Sequence, residues 1–179
     1  MFNKDNRIFY ISSDIESGEI GAVCNDLINL LIEDDKKEAK EKDFKREPIK
    51  MYIQSFGGCI YDMWALIDIM LNSKTPIWTY CTGYAMSAGF KIFLAGRKRF
   101  ISKHATLLYH QLSSWNQGKY QDMLETQSFL DFEQRLIEEY VISRTNITKD
   151  KLKIIREKKI DWYIRCEEAM KLGIAHEII

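Results

Sequence analysis

The sequence lacks a surplus of either charge: 26 lysines and arginines stand against 26 aspartates and glutamates in 179 residues. That balance excludes the broad basic or acidic field by which a chain binds nucleic acid or an anionic membrane surface. Cysteine pairs are also missing. Cys24, Cys59, Cys81 and Cys166 form no C-x-x-C motif and have no metal-ligand spacing with the three histidines. Neither a metal nor another cofactor is expected, and the four thiols read as reduced, in a cytoplasmic protein. The start, MFNKDNR, lacks the apolar core of a signal peptide, and no apolar run approaches the length of a membrane span. Internal repeats and low-complexity linkers are absent too, so residues 1–179 are expected to form one domain.

What is present is an alternation of apolar strands and amphipathic helices. RIFYI (7–11), IKMYIQ (49–54) and PIWTYC (76–81) read as strands, as do the shorter 99–101 and 105–109. Helical spacing of apolar residues marks 19–32, 61–71 and the long segment 118–144. Thr148 is an N-cap for a helix over 149–158, and Gly173 fits the residue just past a short helix over 167–172. A closing strand is expected within 174–178. Residues 33–47 are charged except for Ala39 and Phe44 and read as a solvated helix extension or loop without chemistry. The alternation predicts an α/β fold with a largely parallel sheet.

Glycine is sparse, nine in all, yet two fall in GYAMSAGF, residues 83–90, around Ser87. Strand, small residue, serine, small residue, helix is the setting of a nucleophile elbow, although Ala85 stands where the first glycine of G-x-S-x-G would be. Close helix packing explains the same small residues. A serine nucleophile needs a base. His110 ends an apolar strand where it meets a loop, a common position for functional side chains in α/β folds; a satisfied core histidine is the competing reading. His104 reads as a surface residue and His176 as an edge-strand residue. Asp161, between Ile160 and Trp162-Tyr163, reads as a buried, paired acid or else as a capping or surface aspartate. Gly57-Gly58, directly after a strand, and the Ala88 amide beside Ser87 can donate to an oxyanion; an ordinary tight turn is the alternative for the glycines.

Four ordered segments carry a family resemblance: YIQSFGGCIYDMWALIDIM, TYCTGYAMSAGFKIFLAGRKRF, ATLLYHQLSSWNQGKYQDM and IDWYIRCEEAMKLGIAHEI. Together they resemble the Clp protease proteolytic subunit family, of the ClpP/crotonase fold, from about Arg7 to the C-terminus. The resemblance implies repeated β-β-α units, a mostly parallel sheet and a projecting long helix at 118–144. It implies a serine endopeptidase with Ser87 as nucleophile, His110 as general base and Asp161 orienting it. Gly58 and Ala88 would donate to the oxyanion, and Gly57, Gln111, Leu112, Ser114 and Trp115 would contact substrate. Peptide or unfolded-protein substrates, a homo-oligomeric chamber and stacked rings are implied as well. The family's AAA+ unfoldase partner is expected less, because the chain begins almost at its first strand.

Departures from the family pattern are Phe56 for a proline, Ala88 for a methionine, and Leu112, Ser114 and Trp115 for a proline and a glycine pair. Lys159-Ile160 replaces an acidic-basic pair. Alternatives are a structural subunit of a mixed ring, which usually loses a triad member, and a crotonase-type acyl-CoA enzyme. A Ser–Lys enzyme using Lys91 is a further alternative, with nothing beyond the proximity to Ser87 in its favour.

Overall fold

The computed structural model describes residues 2–115 and 117–179. Among the described residues eight strands form one sheet: β1 Phe2–Asn3, β2 Ile8–Ile11, β3 Ile49–Ser55, β4 Ile77–Met86, β5 Lys98–Ile101, β6 Thr106–Tyr109, β7 Trp162–Arg165 and β8 Glu177–Ile178. Their order is β1-β2-β3-β4-β5-β8, with β6 paired to β4 and β7 paired to β6. Only β1–β2 and β6–β7 are antiparallel; the other pairings are parallel. The mixed α/β, mostly parallel architecture expected from the sequence is therefore present.

Period-two patterning builds the sheet. In β3, Ile49, Met51, Ile53 and Ser55 are buried while the intervening residues are half-exposed. On that second face aromatic rings stack across strands, Tyr52 on Tyr80 at 4.7 Å and Tyr80 on Phe100 at 4.5 Å. The buried face packs on α1 Ser17–Lys40 and α2 Ile60–Asn72. Their inward residues are Ile20, Val23, Leu27 and Leu30, and Met63, Leu66, Ile67 and Met70.

β4 is the pivot. It pairs with β5 through Trp78–Cys81 and with β6 through Tyr84–Met86. The sequence predicts a strand only to residue 81. Tyr84, Ala85 and Met86 continue it because β6 supplies new ladder partners, so the turn begins only at Ser87. The helix that follows, α3 Ala88–Leu94, is buried at every position, Lys91 included. β1 and β7 have no counterpart among the expected strands.

The remaining helices are α4 Tyr120–Arg144, α5 Lys149–Glu157 and α6 Cys166–Lys171. Residues 120–132 of α4 are exposed apart from the half-buried Thr126 and Leu130, whereas Ile137 and Val141 enter the core. Thr148 caps α5 by accepting from the Lys151 amide at 3.2 Å. Gly173 follows α6 with φ +63°, the left-handed conformation that glycine adopts freely. Two arginines collect the carbonyl ends of three helices. Arg99 donates to Gly173, Ile174 and Arg144 oxygens at 2.7, 2.7 and 3.0 Å, and Arg144 donates to Leu94 and Gly96 oxygens at 3.0 Å each. Cations are favoured at these helix ends, where carbonyls lack intrahelical partners. No helix among the described residues is long and apolar enough to cross a membrane.

The charged run 33–47 is in part the helix extension expected of it, but it departs from expectation in its burial. α1 continues through Lys40, and the run is not simply solvated: Asp34 is 1% exposed. Its carboxylate accepts from Arg7 Nη1 and Nη2 at 3.0 and 2.7 Å and from the Thr75 hydroxyl at 2.6 Å. Arg46 adds bonds to Asp35 and Glu38 at 2.6 Å each and to Thr75 at 3.0 Å. Charged residues here tie α1 to the chain before β2 and to the turn before β4.

Burial opposes ionisation of Asp34, but the hydrogen bonds from Arg7 and Thr75, with the charges of Arg7 and Arg46, more than offset it and hold its pKa below the usual carboxylate range. A depressed folded pKa adds stability that is present above the unfolded value and lost as pH falls through the folded one. Asp34→Asn is therefore expected to cost about 2 kcal/mol at pH 7. Denaturant titrations should show the gap between wild type and variant closing as pH drops below about 4. A gap that stays constant with pH would show that the carboxylate charge is not what holds α1.

Candidate active site

Ser87 sits between β4 and α3 with φ 51° and ψ −117°, a strained conformation for a residue with a Cβ. Two contacts fix it. Its amide donates to the Leu108 carbonyl of β6 at 3.0 Å. Gly57, at φ +113°, lies directly against it: a Cβ on Gly57 would come within 2.6 Å of Ser87 Cβ and 3.0 Å of the Met86 oxygen and the Ala88 nitrogen. Phe56, 62% exposed, stacks on Tyr84 at 4.3 Å and anchors the approach to this glycine.

Gly58 has an equally specific reason to be glycine. A Cβ there would stand 2.3 Å from the Ile15 oxygen. Ile15 bridges the turn, donating to the Gly57 oxygen and accepting from the Cys59 amide, both at 2.7 Å. That bridge brackets Gly58 and leaves its N–H without an acceptor among the described residues. The Ala88 N–H opens α3 and, like other first-turn amides, lacks an intrahelical partner.

Strand register brings the other two residues together. β4 and β6 run parallel with Met86 beside Leu108, so Ser87 emerges next to the end of β6. β6 and β7 run antiparallel, with Leu108 opposite Tyr163 and Tyr109 opposite Trp162. The next step in that register sets His110 opposite Asp161. Ser87, His110 and Asp161 thus leave three adjacent strands at one edge. β7, which the sequence did not suggest, is the element that brings Asp161 there.

Ser87, Ala88, Gly58, His110, Gln111 and Leu112 line one small cavity of about 50 Å³. Gln111 and Leu112 are half-buried, and the Leu112 amide donates to Gln134 Oε1 at 2.7 Å. Ser114 is exposed and borders a neighbouring groove instead, with Gln127 and Asp131 of α4. Trp115 is 82% exposed. His104 and His176 are not among the lining residues; His176 accepts from the Arg99 amide at 3.1 Å.

Asp161 corrects one expectation. It is exposed rather than buried, because it precedes the first paired residue of β7 and its neighbour Ile160 is itself 39% exposed. No hydrogen bond joins His110 to Ser87 or to Asp161 among the described residues. The charge of Asp161 is nevertheless felt at His110. The histidine pKa is lowered from its ordinary value by burial and then by the positive charge of Lys91, while Asp161 and the Gln111 backbone pull it up.

Sequence reasoning raised Lys91 only as the base of a Ser–Lys enzyme and missed its burial beside Ser87. Lys91 lines the same cavity with Ile60, Met63, Ser113 and Ile137. Its spacing of four from Ser87 was the available signal, since residues so spaced share a helix face. The described residues hold no cluster of histidine, cysteine and carboxylate side chains that could bind a metal.

Comparison with known proteins bears on the chain as a whole. The Clp protease family model matches residues 2–179. An ATP-dependent Clp protease proteolytic subunit from Deinococcus radiodurans is 28% identical over 177 residues, covering 97% of this chain and 80% of that protein. A ClpP1 mutant from Listeria monocytogenes has a similar fold, with a TM-score of 0.82 at 21% identity, over 98% of this chain and 92% of that one. With the family match running from the first strand to the last residue, the chain belongs to the Clp protease family and is a ClpP-like serine peptidase.

Proposed function

We propose that the protein hydrolyses peptide bonds through an acyl-enzyme formed on Ser87. His110 takes the Ser87 proton as Oγ attacks the substrate carbonyl carbon, and it returns that proton to the leaving amine. Water then repeats the cycle on the ester and frees the acid. The Gly58 and Ala88 amides receive the oxyanion, and Asp161 stabilises the imidazolium. The observation that carries this reading is the β4–β6–β7 register, which sends the three side chains out of neighbouring strands at one edge. The free Gly58 amide beside the strained serine supports it.

Substrate would lie as an extended segment along Gly57 and residues 111–115, adding to the strand edges. Assembly into a ring is supported by α4, whose outer half exposes Tyr120, Met123, Leu124, Phe129 and Phe132. These apolar side chains lie on several sides of the helix, and exposed apolar surface of this kind is what a protein–protein contact covers. The exposure of Asp161 and the missing His110 hydrogen bonds favour a second reading, a structural subunit with an idle triad. Apo geometry often tightens only when substrate binds, so reactivity decides between them.

A fluorophosphonate probe is expected to label the assembled protein at Ser87, with labelling lost in Ser87→Ala and His110→Ala, read by mass spectrometry of the modified peptide. An unlabelled wild type would leave the structural subunit as the better reading. Asp161→Asn should slow peptide hydrolysis by roughly 10³–10⁴-fold. Gly57→Ala should slow probe labelling about 10²-fold, because the added methyl displaces the serine; unchanged kinetics would show that the elbow does not depend on that contact.

The acid limb of kcat/KM should reflect neutral His110 and so lie below about pH 6.5, the ordinary histidine value. Lys91→Met removes a positive charge that lowers the His110 pKa and should move the limb to higher pH. A limb that moves down would contradict the assignment of His110 as base.

A further inference from the structure

The cavity beside Ser87 contains a charge that the peptidase chemistry does not use. Lys91 is 4% exposed, yet it lines this cavity together with Ser87, Ala88, Gly58 and His110. A buried ammonium ordinarily needs a carboxylate or several acceptors, because leaving water without a partner is costly. Lys91 has none among the described residues. Its Nζ lies 5.3 Å from the centroid of the Tyr109 ring, a cation–π contact that satisfies only part of the charge.

The buried acids of α4 are already engaged. Glu133 accepts from Trp64 Nε1 at 3.1 Å. Glu138 accepts from Gln134 at 2.9 Å and from Arg156 at 3.0 Å. Burial lowers the Lys91 pKa to about 8, which leaves it mainly protonated at neutral pH. Ile60, Met63, Leu112 and Ile137 make much of the remaining wall apolar, and the polar groups there, Gln111 and Ser113, are neutral, so no other charge lines the cavity to pair with the ammonium. The cavity is small, about 50 Å³, which suits a short side chain ending in a compact charge better than an aromatic ring.

We propose that Lys91 determines specificity: its ammonium receives the side-chain carboxylate of the Asp or Glu residue whose carbonyl Ser87 attacks. The proposal rests on Ser87 being the nucleophile. A residue whose carbonyl lies between Ser87 Oγ and the Gly58 and Ala88 amides projects its side chain into the adjoining cavity. An acidic side chain completes the missing ion pair. A leucine there buries the ammonium further without a partner, and a glutamine of the same shape supplies no charge. Discrimination comes from both the attraction and the penalty.

The test uses three peptides capped as C-terminal amides that differ only in Glu, Gln or Leu before the scissile bond. Wild-type kcat/KM is expected to favour Glu by roughly tenfold or more over Gln and Leu, and Lys91→Met to reverse the order in favour of Leu. Equal cleavage of the three by wild type would overturn the proposal, as would an unchanged ratio in Lys91→Met. Cleavage that depends instead on a free C-terminal carboxylate would also overturn it, by assigning the anion to the chain end. Loss of the fluorophosphonate reaction in Lys91→Met would make Lys91 a proton-transfer group and reject the specificity role. Labelling of wild-type Ser87 separates the two claims. A labelled serine without acidic preference defeats only the assignment of Lys91; an unlabelled serine removes the nucleophile and this proposal with it.

Discussion

The close approach of Gly57 to Ser87 is the contact on which the site depends. A left-handed serine is unfavourable by about 1–3 kcal/mol and persists only where its surroundings over-determine it. Here a chain segment with no Cβ passes beneath it and a carbonyl of β6 takes its amide. The glycine is required by space on one side and by its own φ of +113° on the other. Once the serine is fixed, register does the rest. β6 carries His110 because Met86 pairs with Leu108, and β7 carries Asp161 because Tyr109 pairs with Trp162. A slip of one residue in either ladder would turn these side chains to the opposite face. Sheet hydrogen bonds thus set where the three side chains emerge, and the Gly57 turn sets the conformation of the serine among them.

Much of this was legible in the sequence because the signals were local. The buried faces of α1 and α2, the Thr148 cap and the Gly173 terminus follow from spacing and residue type alone. What was not legible depended on distant partners. The last residues of β4 resemble a turn, with Gly83 among them, and become strand only because β6 lies alongside. β7 is four residues between a basic run and a helix, and its apolar alternation is too short to stand out. Asp34 lies inside a charged run, and nothing nearby reveals that Arg7 and Thr75 converge on it from 27 and 41 residues away. Ser87, by contrast, was visible as a small-residue turn, although its strain was not.

Charge placement around His110 shows why burial matters more than sequence proximity. Asp161 stands at the rim, where water screens its field. Lys91 is enclosed, and its field acts through a medium of lower dielectric. Both charges act on the same imidazole, yet burial and the lysine outweigh the aspartate, and the net shift is downward. Residue type alone would put a lysine at the surface and an aspartate amid apolar neighbours in the interior. The fold inverts both, because α3 is enclosed at every position while Asp161 falls just before the strand pairing begins.

The same arrangement couples substrate recognition to the base. An acidic side chain paired with Lys91 cancels most of the positive field at His110, so one of the two influences that lower its pKa disappears when such a substrate is bound. The imidazole then becomes more basic as the serine is positioned for attack, and proton transfer from a weakly acidic hydroxyl gains driving force. A neutral side chain in the cavity leaves the field in place and adds desolvation of its own. Selectivity would thus arise twice from a single buried ammonium: once in binding, through the ion pair, and again in chemistry, through the basicity of His110.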